Sequence, residues 1–437
     1  MSIESRVSDL VRQLGEAPAF EQRGRVRGAV GTSIRVSGIS ARIGQTCAML
    51  GPADETVMMA EVVGIADGEA LLAPLGDLRG LSNETEVVVR VGEDRVPVGE
   101  SLLGRIVDAR LQPLDGGPAI RADSHRPLYG EAPNPMQRER IERLVETGIR
   151  AIDGVLPLGR GQRVGVFAAA GGGKSTLLAT LARQAEADAI VIALIGERGR
   201  EVREFVEDNL GEAGLARSVV VVATSDRPAL ERARAAHAAT AIAEGLRAEG
   251  KHVLLLMDSV TRFSRALREI GLATGEPPVR RGFPPSVFAE LPRLFERTGT
   301  DAAGAITGIY TVLLEDEEDD PIGEEVRSLL DGHIYLSRKL AARGHYPAID
   351  ILASQSRLMG QLTERAQQSA AVALRTHLAK LDEIEILLQV GDYKPGQDAA
   401  ADRALAQREA LDAFLCQPLD ERIGFPVTLA LLRGFDS

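Results

Sequence analysis

The chain has 437 residues, 44% of them hydrophobic and 26% charged, a globular composition too long for one core and suited to two or three domains. Its 63 acidic against 51 basic side chains, net charge −12, and an aromatic share of 3% argue against a nucleic-acid partner, which would need clustered cations and stacking platforms. Two cysteines (Cys47, Cys416) and six scattered histidines supply no disulfide framework or metal-spaced set, and no apolar run suits a membrane span or signal segment, so a soluble, cytoplasmic protein is expected.

Residues 1–20 carry Ile3, Val7, Leu10, Val11 and Leu14 at helical spacing before Pro18. Such a stripe either packs on its own domain or docks a partner helix, and the sequence leaves both open. From Gly24 to Val91 the period shortens to β-like runs broken by Gly and Asp: Arg25 to Val30, Ser33 to Val36, Thr46 to Leu50, Thr56 to Ile65, Ala70 to Pro74 and Glu86 to Val91. Six short strands predict a small closed barrel, which removes the edge-strand liability. Residues 92–162 are rich in Gly and Pro, yet Leu102, Leu103, Ile106 and Val107 keep an apolar character. The stretch reads as an ordered traverse between domains.

From residue 163 to 356 strands and helices alternate, the mark of an α/β fold with a mainly parallel sheet. The predicted strands are Arg163 to Phe167, Ala189 to Ile195, Ser218 to Ala223, Val253 to Asp258 and Ala305 to Leu314. Ligands in such sheets bind outside the carboxyl ends of the strands. Beyond residue 357 a helical period takes over, through Leu374, Leu378, Leu381, Ile384 and Leu387 and again from Ala404 to Leu415, and predicts a small helical C-terminal domain.

The first of these strands feeds Ala168-Ala169-Ala170-Gly171-Gly172-Gly173-Lys174-Ser175-Thr176. The glycines allow a tight turn, and the helix that opens there points its first N–H groups back at the loop, which makes a cradle for phosphate. Lys174 is placed to reach the β- and γ-phosphates and the Ser175 hydroxyl to join a Mg²⁺ shell, so a nucleoside triphosphate with Mg²⁺ is the expected occupant. The P-loop pattern asks for Gly where this chain has Ala168. A Gly-rich turn with no ligand is the other reading.

Val253-Leu254-Leu255-Leu256-Met257-Asp258 is a buried-type strand ending in a carboxylate, and Asp258 is a candidate for holding Mg²⁺ opposite Ser175. By itself such an Asp is as readily a helix N-cap. Glu197 follows the strand after the P-loop helix and is placed to orient and deprotonate the water that attacks the γ-phosphate, or else to start a helix on its macrodipole. Arg198 stands ready to fix Glu197 or the phosphate.

The chain resembles the type III secretion ATPases, the export motors of injectisomes and flagella, which are related to the catalytic subunits of rotary ATP synthases. The resemblance covers nearly the whole chain and rests on Gly196-Glu197-Arg198-Gly199-Arg200-Glu201-Val202-Arg203-Glu204-Phe205, Asp258-Ser259-Val260-Thr261-Arg262-Phe263, Gly275-Glu276-Pro277-Pro278 through Arg281-Gly282-Phe283-Pro284-Pro285-Ser286-Val287-Phe288, and Asp331-Gly332-His333-Ile334 through Tyr346-Pro347-Ala348-Ile349-Asp350. It implies an N-terminal helix (1–20), a β-barrel domain (21–95), a RecA-like P-loop core (96–356) and a C-terminal helical domain (357–437), assembled as a homohexamer with sites at subunit boundaries. It implies that Ala170, Gly171, Gly172, Gly173, Lys174, Ser175 and Thr176 cradle the nucleotide and that Tyr346 packs on the adenine. It further implies that Arg262 joins a polar network near the attacking water and that Arg357 reaches the γ-phosphate of the neighbouring subunit.

The implied function is ATP hydrolysis that energises protein secretion through chaperone release, substrate unfolding and delivery to a membrane export gate. The implied partners are a stator-type regulator at the N-terminal helix, a central coiled-coil stalk, secretion chaperones and substrates at the C-terminal domain, and, indirectly, the membrane export apparatus. The acidic run Glu315-Asp316-Glu317-Glu318-Asp319-Asp320 is a solvated loop or the surface that meets the stalk. Ala168 resembles the injectisome branch, with a flagellar export ATPase as the alternative. A synthase catalytic subunit, a non-catalytic nucleotide-holding subunit and a nucleic-acid motor are further readings; retention of Lys174, Glu197 and Asp258 disfavours the non-catalytic one.

Overall fold

The computed structural model describes residues 21–436 apart from 91, 93, 123, 170 and 315–319. The expected helix within residues 1–20 lies outside the described residues, and so do Ala170 and the acidic run up to Asp319. The chain divides into two compact units, Met1–Asp94 and Arg95–Ser437. Among the described residues no helix is long and apolar enough to cross a membrane.

In the first unit β1 (Arg23–Val30), β2 (Ser33–Ser37), β3 (Thr46–Leu50), β4 (Thr56–Ala66), β5 (Glu69–Leu75) and β6 (Glu86–Val89) close into a barrel in the order β1-β2-β5-β4-β3-β6. Each begins or ends within two residues of its expectation. The β4–β5 hairpin turns on Asp67 (φ 52°) and Gly68 (φ 78°), the two left-handed residues that a two-residue hairpin loop demands. Ile34, Val36, Cys47, Met49, Val62, Leu72 and Val87 fill the interior.

The second unit departs from expectation at its start. The traverse is built into the fold: β7 (Arg95–Val98) pairs with β9 (Ser124–Pro127), and β8 (Ile106–Asp108) joins the edge of the main sheet beside β14 (Ser218–Ala223). A short ribbon of β10 (Leu144–Val145) and β11 (Leu158–Gly159) follows. The sheet itself runs β19-β18-β12-β17-β15-β13-β14-β8, with β16 (Gly299–Thr300) added antiparallel on β17. Its central strands are the predicted ones: β12 (Arg163–Ala168), β13 (Ala189–Ile195), β14, β15 (His252–Asp258) and β17 (Ala305–Leu313). Sequence reasoning missed β18 (Gly332–Leu336) and β19 (Ile349–Ser356), the latter antiparallel to the rest.

The middle of the sheet is covered on both faces, so strands such as β13 and β14 are buried along their whole length rather than on alternate residues. Val191, Ala193 and Ile195 of β13 face one core, packed by the helices Ala229–Ala248, Val260–Ala273 and Pro285–Glu296. Ile190, Ile192 and Leu194 face the other, which includes the helix Lys174–Gln184. The C-terminal helices Arg365–Gln389, Ala399–Leu415 and Phe425–Arg433 send Leu374, Leu411, Phe414 and Leu432 into that second core. The carboxyl ends of β12, β13 and β15 therefore meet the amino end of the Lys174 helix on one side of the sheet.

Candidate active site

The loop after β12 turns on Gly171 (φ 82°) and Gly173 (φ 83°), conformations that a side chain would strain. Gly172 N–H donates to Ala169 C=O at 3.2 Å, and helical bonding begins with Leu177 N–H to Gly173 C=O at 3.0 Å. Ala168 is the last residue of its strand. It is fully buried in the core that contains Leu177 and Leu178, so its methyl group is a packing element and no obstacle at the mouth of the loop.

Lys174 Nζ lies 2.5 Å from Asp258 Oδ1 and 3.5 Å from Glu197 Oε1. Asp258 is 1% exposed and Glu197 8%, which makes these charged groups unusual for their burial and leaves mutual pairing as their compensation. Glu197 is carried there by Gly196 (φ 68°), whose N–H donates to Ala223 C=O at 2.6 Å. The Glu197 carboxylate also forms an ion pair with Arg262. Burial, and then the charge of Arg265, lowers the Arg262 pKa below its ordinary value. A Cβ at position 196 would come within 2.9 Å of Arg262 Cδ, so glycine is required for both its φ and its space.

The two alternatives left open for Asp258 separate here. The Asp258–Ser259 peptide is cis, and the helix Val260–Ala273 is capped by Ser259, whose hydroxyl accepts from Arg262 N–H at 3.3 Å. Asp258 keeps its carboxylate for Lys174 and for Thr311, whose hydroxyl donates to Asp258 Oδ1 at 2.8 Å. Thr311 was not singled out by the sequence, because a threonine in an apolar strand reads only as a good strand former.

Beside the loop lies a narrow cleft whose lining is mostly apolar and includes Gly173, Thr176, Tyr346, Pro347, Pro418 and Leu419. Tyr346 is therefore next to the phosphate loop, as expected of an adenine neighbour. The contribution of Pro418 and Leu419, from the loop after the helix Ala399–Leu415, was not legible, since nothing local ties that loop to the P-loop. Ser175 is exposed in the first turn of the helix.

Two expected residues stand apart from the cluster. Arg198 is exposed and pairs with Glu201 at 3.2 Å. Arg357 follows Ser356, which pairs with Gly332 at the amino end of β18, whereas Ala168 pairs with Leu336 at the carboxyl end. The span between these levels of the sheet is about 13 Å of strand. Arg357 is exposed there, its guanidinium donating to Arg327 C=O at 3.2 Å.

A P-loop lysine, a strand-end carboxylate and a second buried carboxylate, set at the carboxyl ends of a parallel sheet beside an apolar cleft, define a nucleotide-hydrolysing P-loop ATPase. The comparisons agree. Residues 148–356 match the family model described as ATP synthase alpha/beta family, nucleotide-binding domain, and residues 363–434 match the T3SS EscN ATPase C-terminal domain. The chain is 53% identical over 426 residues to a type 3 secretion system ATPase of Xanthomonas euvesicatoria, covering 97% of this chain and 96% of that one. It is 45% identical to a flagellum-specific ATP synthase of Treponema pallidum, covering 96% and 95%. The solved structure of the assembled ATPase EscN from enteropathogenic E. coli superposes with a TM-score of 0.88 at 44% identity, covering 95% of this chain and all of that one. EscN solved with its central stalk EscO superposes with a TM-score of 0.87 at the same identity and coverage. The chain belongs to the type 3 secretion system ATPases, and its function is ATP hydrolysis in type III protein secretion.

Proposed function

We propose that the chain hydrolyses ATP at a seam between copies of itself, with one subunit gripping the nucleotide and the next supplying Arg357. The observation that carries this reading is the division of labour along one sheet. Lys174, Glu197, Asp258 and Arg262 gather at the carboxyl ends of the strands, and Arg357 leaves the sheet at the other end. Within one chain Arg357 is too far to touch a phosphate held by Lys174. In a closed ring, the exposed guanidinium of one copy meets the loop of the next, and a homohexamer is the proposed assembly. EscN, matched above in its assembled form, supports this, and its complex with a central stalk supports a stalk partner for this chain.

In the proposed site the backbone from Ala170 to Thr176 cradles the phosphates, Lys174 moves from Asp258 to the β- and γ-phosphates, and Tyr346 packs on the adenine. Glu197, oriented by Arg262, holds the attacking water and takes its proton. Arg357 of the neighbouring copy stabilises charge on the transferring group, an effect worth about 10³–10⁵ in rate where such arginines have been weighed. The Ser175 hydroxyl and the Asp258 carboxylate would hold Mg²⁺. Among the described residues no group of three or more His, Cys, Asp or Glu could cage a metal, so an ion here would complete its shell with phosphate oxygens and water, as Mg²⁺ commonly does. When bound, the ion supplies charge neutralisation at the phosphates. Arg198, which pairs with Glu201, is proposed to swing in and fix Glu197 or the phosphate when nucleotide is bound.

The wider role proposed is cytoplasmic. Chaperone release and substrate unfolding are powered at the C-terminal helices, a stator-type regulator acts at the N-terminal segment, and delivery to the membrane export apparatus passes through partners. The seam is tested by measuring ATPase activity per subunit against protein concentration, for wild type and Arg357→Ala. Activity per subunit is expected to rise with concentration in the wild type, and the variant is expected to lose at least about a hundredfold in kcat while still binding nucleotide. A flat concentration series, or a fully active variant, overturns the shared site.

A further inference from the structure

We propose that Thr311 is a positioning residue of the hydrolysis site, fixing the Asp258 carboxylate so that Oδ2 alone is presented to a bound divalent cation. This rests on the reading of Asp258 as a metal-side carboxylate. Thr311 lies on β17, between β12 and β15, level with Val166 on one side, and its neighbour Tyr310 pairs with Met257 on the other. Strand alternation sends Tyr310 and Val312 into the core on one face of the sheet and Ile309 into the core on the face that carries the Lys174 helix. Thr311 shares the face of Ile309 and is fully buried. An aliphatic residue would complete that layer. The chain instead buries a hydroxyl, which must find an acceptor.

That acceptor is Asp258. The Thr311 hydroxyl is 2.8 Å from Asp258 Oδ1 and 3.2 Å from Met257 C=O, and its one proton is better placed on the charged, closer oxygen. Lys174 Nζ donates to the same Oδ1 at 2.5 Å. Two donors on one oxygen stop the carboxylate turning about a torsion that is otherwise broad and nearly two-fold. Among the described residues no hydrogen bond goes to Oδ2. The two donors differ in permanence, however. Lys174 carries its ammonium on a flexible four-carbon stem and would turn to the phosphates when they arrive, whereas the Thr311 hydroxyl sits on the central sheet one strand from Asp258. In the loaded site Thr311 is the donor that remains, and it is what keeps Oδ2 facing the ion. Partners that orient a metal-binding carboxylate typically change metal affinity by about 10–100-fold when removed.

The test uses the full chain and equilibrium binding of a fluorescent ADP analogue, titrated with and without Mg²⁺. Thr311→Val removes the donor at nearly constant shape, Thr311→Ala removes it with no packing demand, and Thr311→Ser keeps it. Thr311→Val and Thr311→Ala are expected to raise the Mg²⁺ concentration needed for half-maximal tightening by about tenfold. Metal-free ADP affinity should stay within about twofold, and Thr311→Ser should stay close to wild type. The proposal is overturned if Thr311→Val and Thr311→Ala keep the wild-type Mg²⁺ dependence, if Thr311→Ser loses as much as they do, or if metal-free affinity falls in parallel, which would mark a packing role. Asp258→Asn run alongside separates the two levels. If Asp258→Asn leaves the Mg²⁺ dependence intact, the reading of Asp258 fails and this proposal with it; if only the Thr311 variants are silent, the reading of Asp258 survives.

Discussion

At Ala168 one methyl group decides how the phosphate loop should be read. The P-loop pattern places Gly there, and a Cβ at the mouth of the loop would crowd a phosphate. The structure instead makes Ala168 the last residue of β12, fully buried in the core with Leu177 and Leu178. The left-handed turns that only glycine makes easily fall at Gly171 and Gly173. The flexible positions were legible because glycine at those points has no other use, whereas the direction of the Ala168 side chain follows from where the strand ends, which the sequence does not state. The consequence is measurable. Ala168→Gly, although it restores the pattern, deletes a buried methyl and loosens the chain, and is expected to cost about 1–2 kcal/mol of stability. Its kcat/KM should remain within about twofold of wild type. Denaturant unfolding and steady-state ATPase kinetics check both halves, and a marked gain in kcat/KM would show that the methyl does obstruct the nucleotide.

The elements read from sequence were those whose pattern is local. Apolar runs such as Ala189–Ile195 and residues 253–257 signal central strands, and the alternating, turn-punctuated barrel strands signal themselves. The missed elements owe their form to distant partners. β8 is three residues in a Gly- and Pro-rich stretch and is a strand only because β14 pairs with it. β19 is the far edge strand and part exposed, β18 beside it alternates buried and half-buried residues, and both carry polar residues. The same holds for the loop that walls the nucleotide cleft. Arg150, buried beside the end of the helix Ala399–Leu415, donates to the carbonyls of Phe414 at 2.9 Å, Ala413 at 3.1 Å and Cys416 at 2.5 Å. Gln417 accepts from Arg150 N–H at 2.9 Å and donates to Gly148 C=O at 2.7 Å. A guanidinium on the last carbonyls of a helix satisfies orphan acceptors and suits the macrodipole. Arg150→Met keeps the apolar stem and strips those carbonyls of their donor, with an expected loss on the order of 3 kcal/mol. Because Pro418 and Leu419 line the cleft, KM for ATP should rise severalfold as well. A variant that loses stability with KM unchanged would show that the cleft does not depend on this anchor.

Across the whole molecule, net acidity argues against a nucleic-acid partner, but it says nothing about how the fold responds to acid, because that response is set by the groups buried in the larger unit. His237 lies between Tyr129 and Phe263, with ring centroids 4.8 and 5.6 Å away. Arg297 Nη1 is 3.5 Å from its Nδ1, and Glu290 Oε1 is 3.6 Å from its Nε2. Burial first, and then the charges of Arg297 and Arg234, push its pKa from 6.5 down to about 3. His252, 2.8 Å from the Thr307 hydroxyl, is pushed by burial and then Arg160 down to about 4. Asp153 moves the other way: burial raises it from 3.8 to about 6, against hydrogen bonds from Thr147 and Gly148. A histidine harder to protonate in the folded state than in the unfolded chain contributes stability that is complete above pH 6.5 and is lost as pH falls below it. An aspartate easier to protonate when folded gains stability as pH falls from 6 towards 3.8, so the two effects oppose each other. At pH 5 the histidines cost about 2 kcal/mol each relative to neutral pH, and Asp153 offsets about 1 kcal/mol of that, so the histidines win. Urea unfolding of the larger unit is therefore expected to show a loss of about 3 kcal/mol between pH 7.5 and pH 5, with His237→Gln removing about 2 kcal/mol of the difference. If the variant shows the same acid loss as wild type, His237 accepts its proton without penalty, and its burial among Tyr129, Phe263 and Arg297 does not govern the pH response.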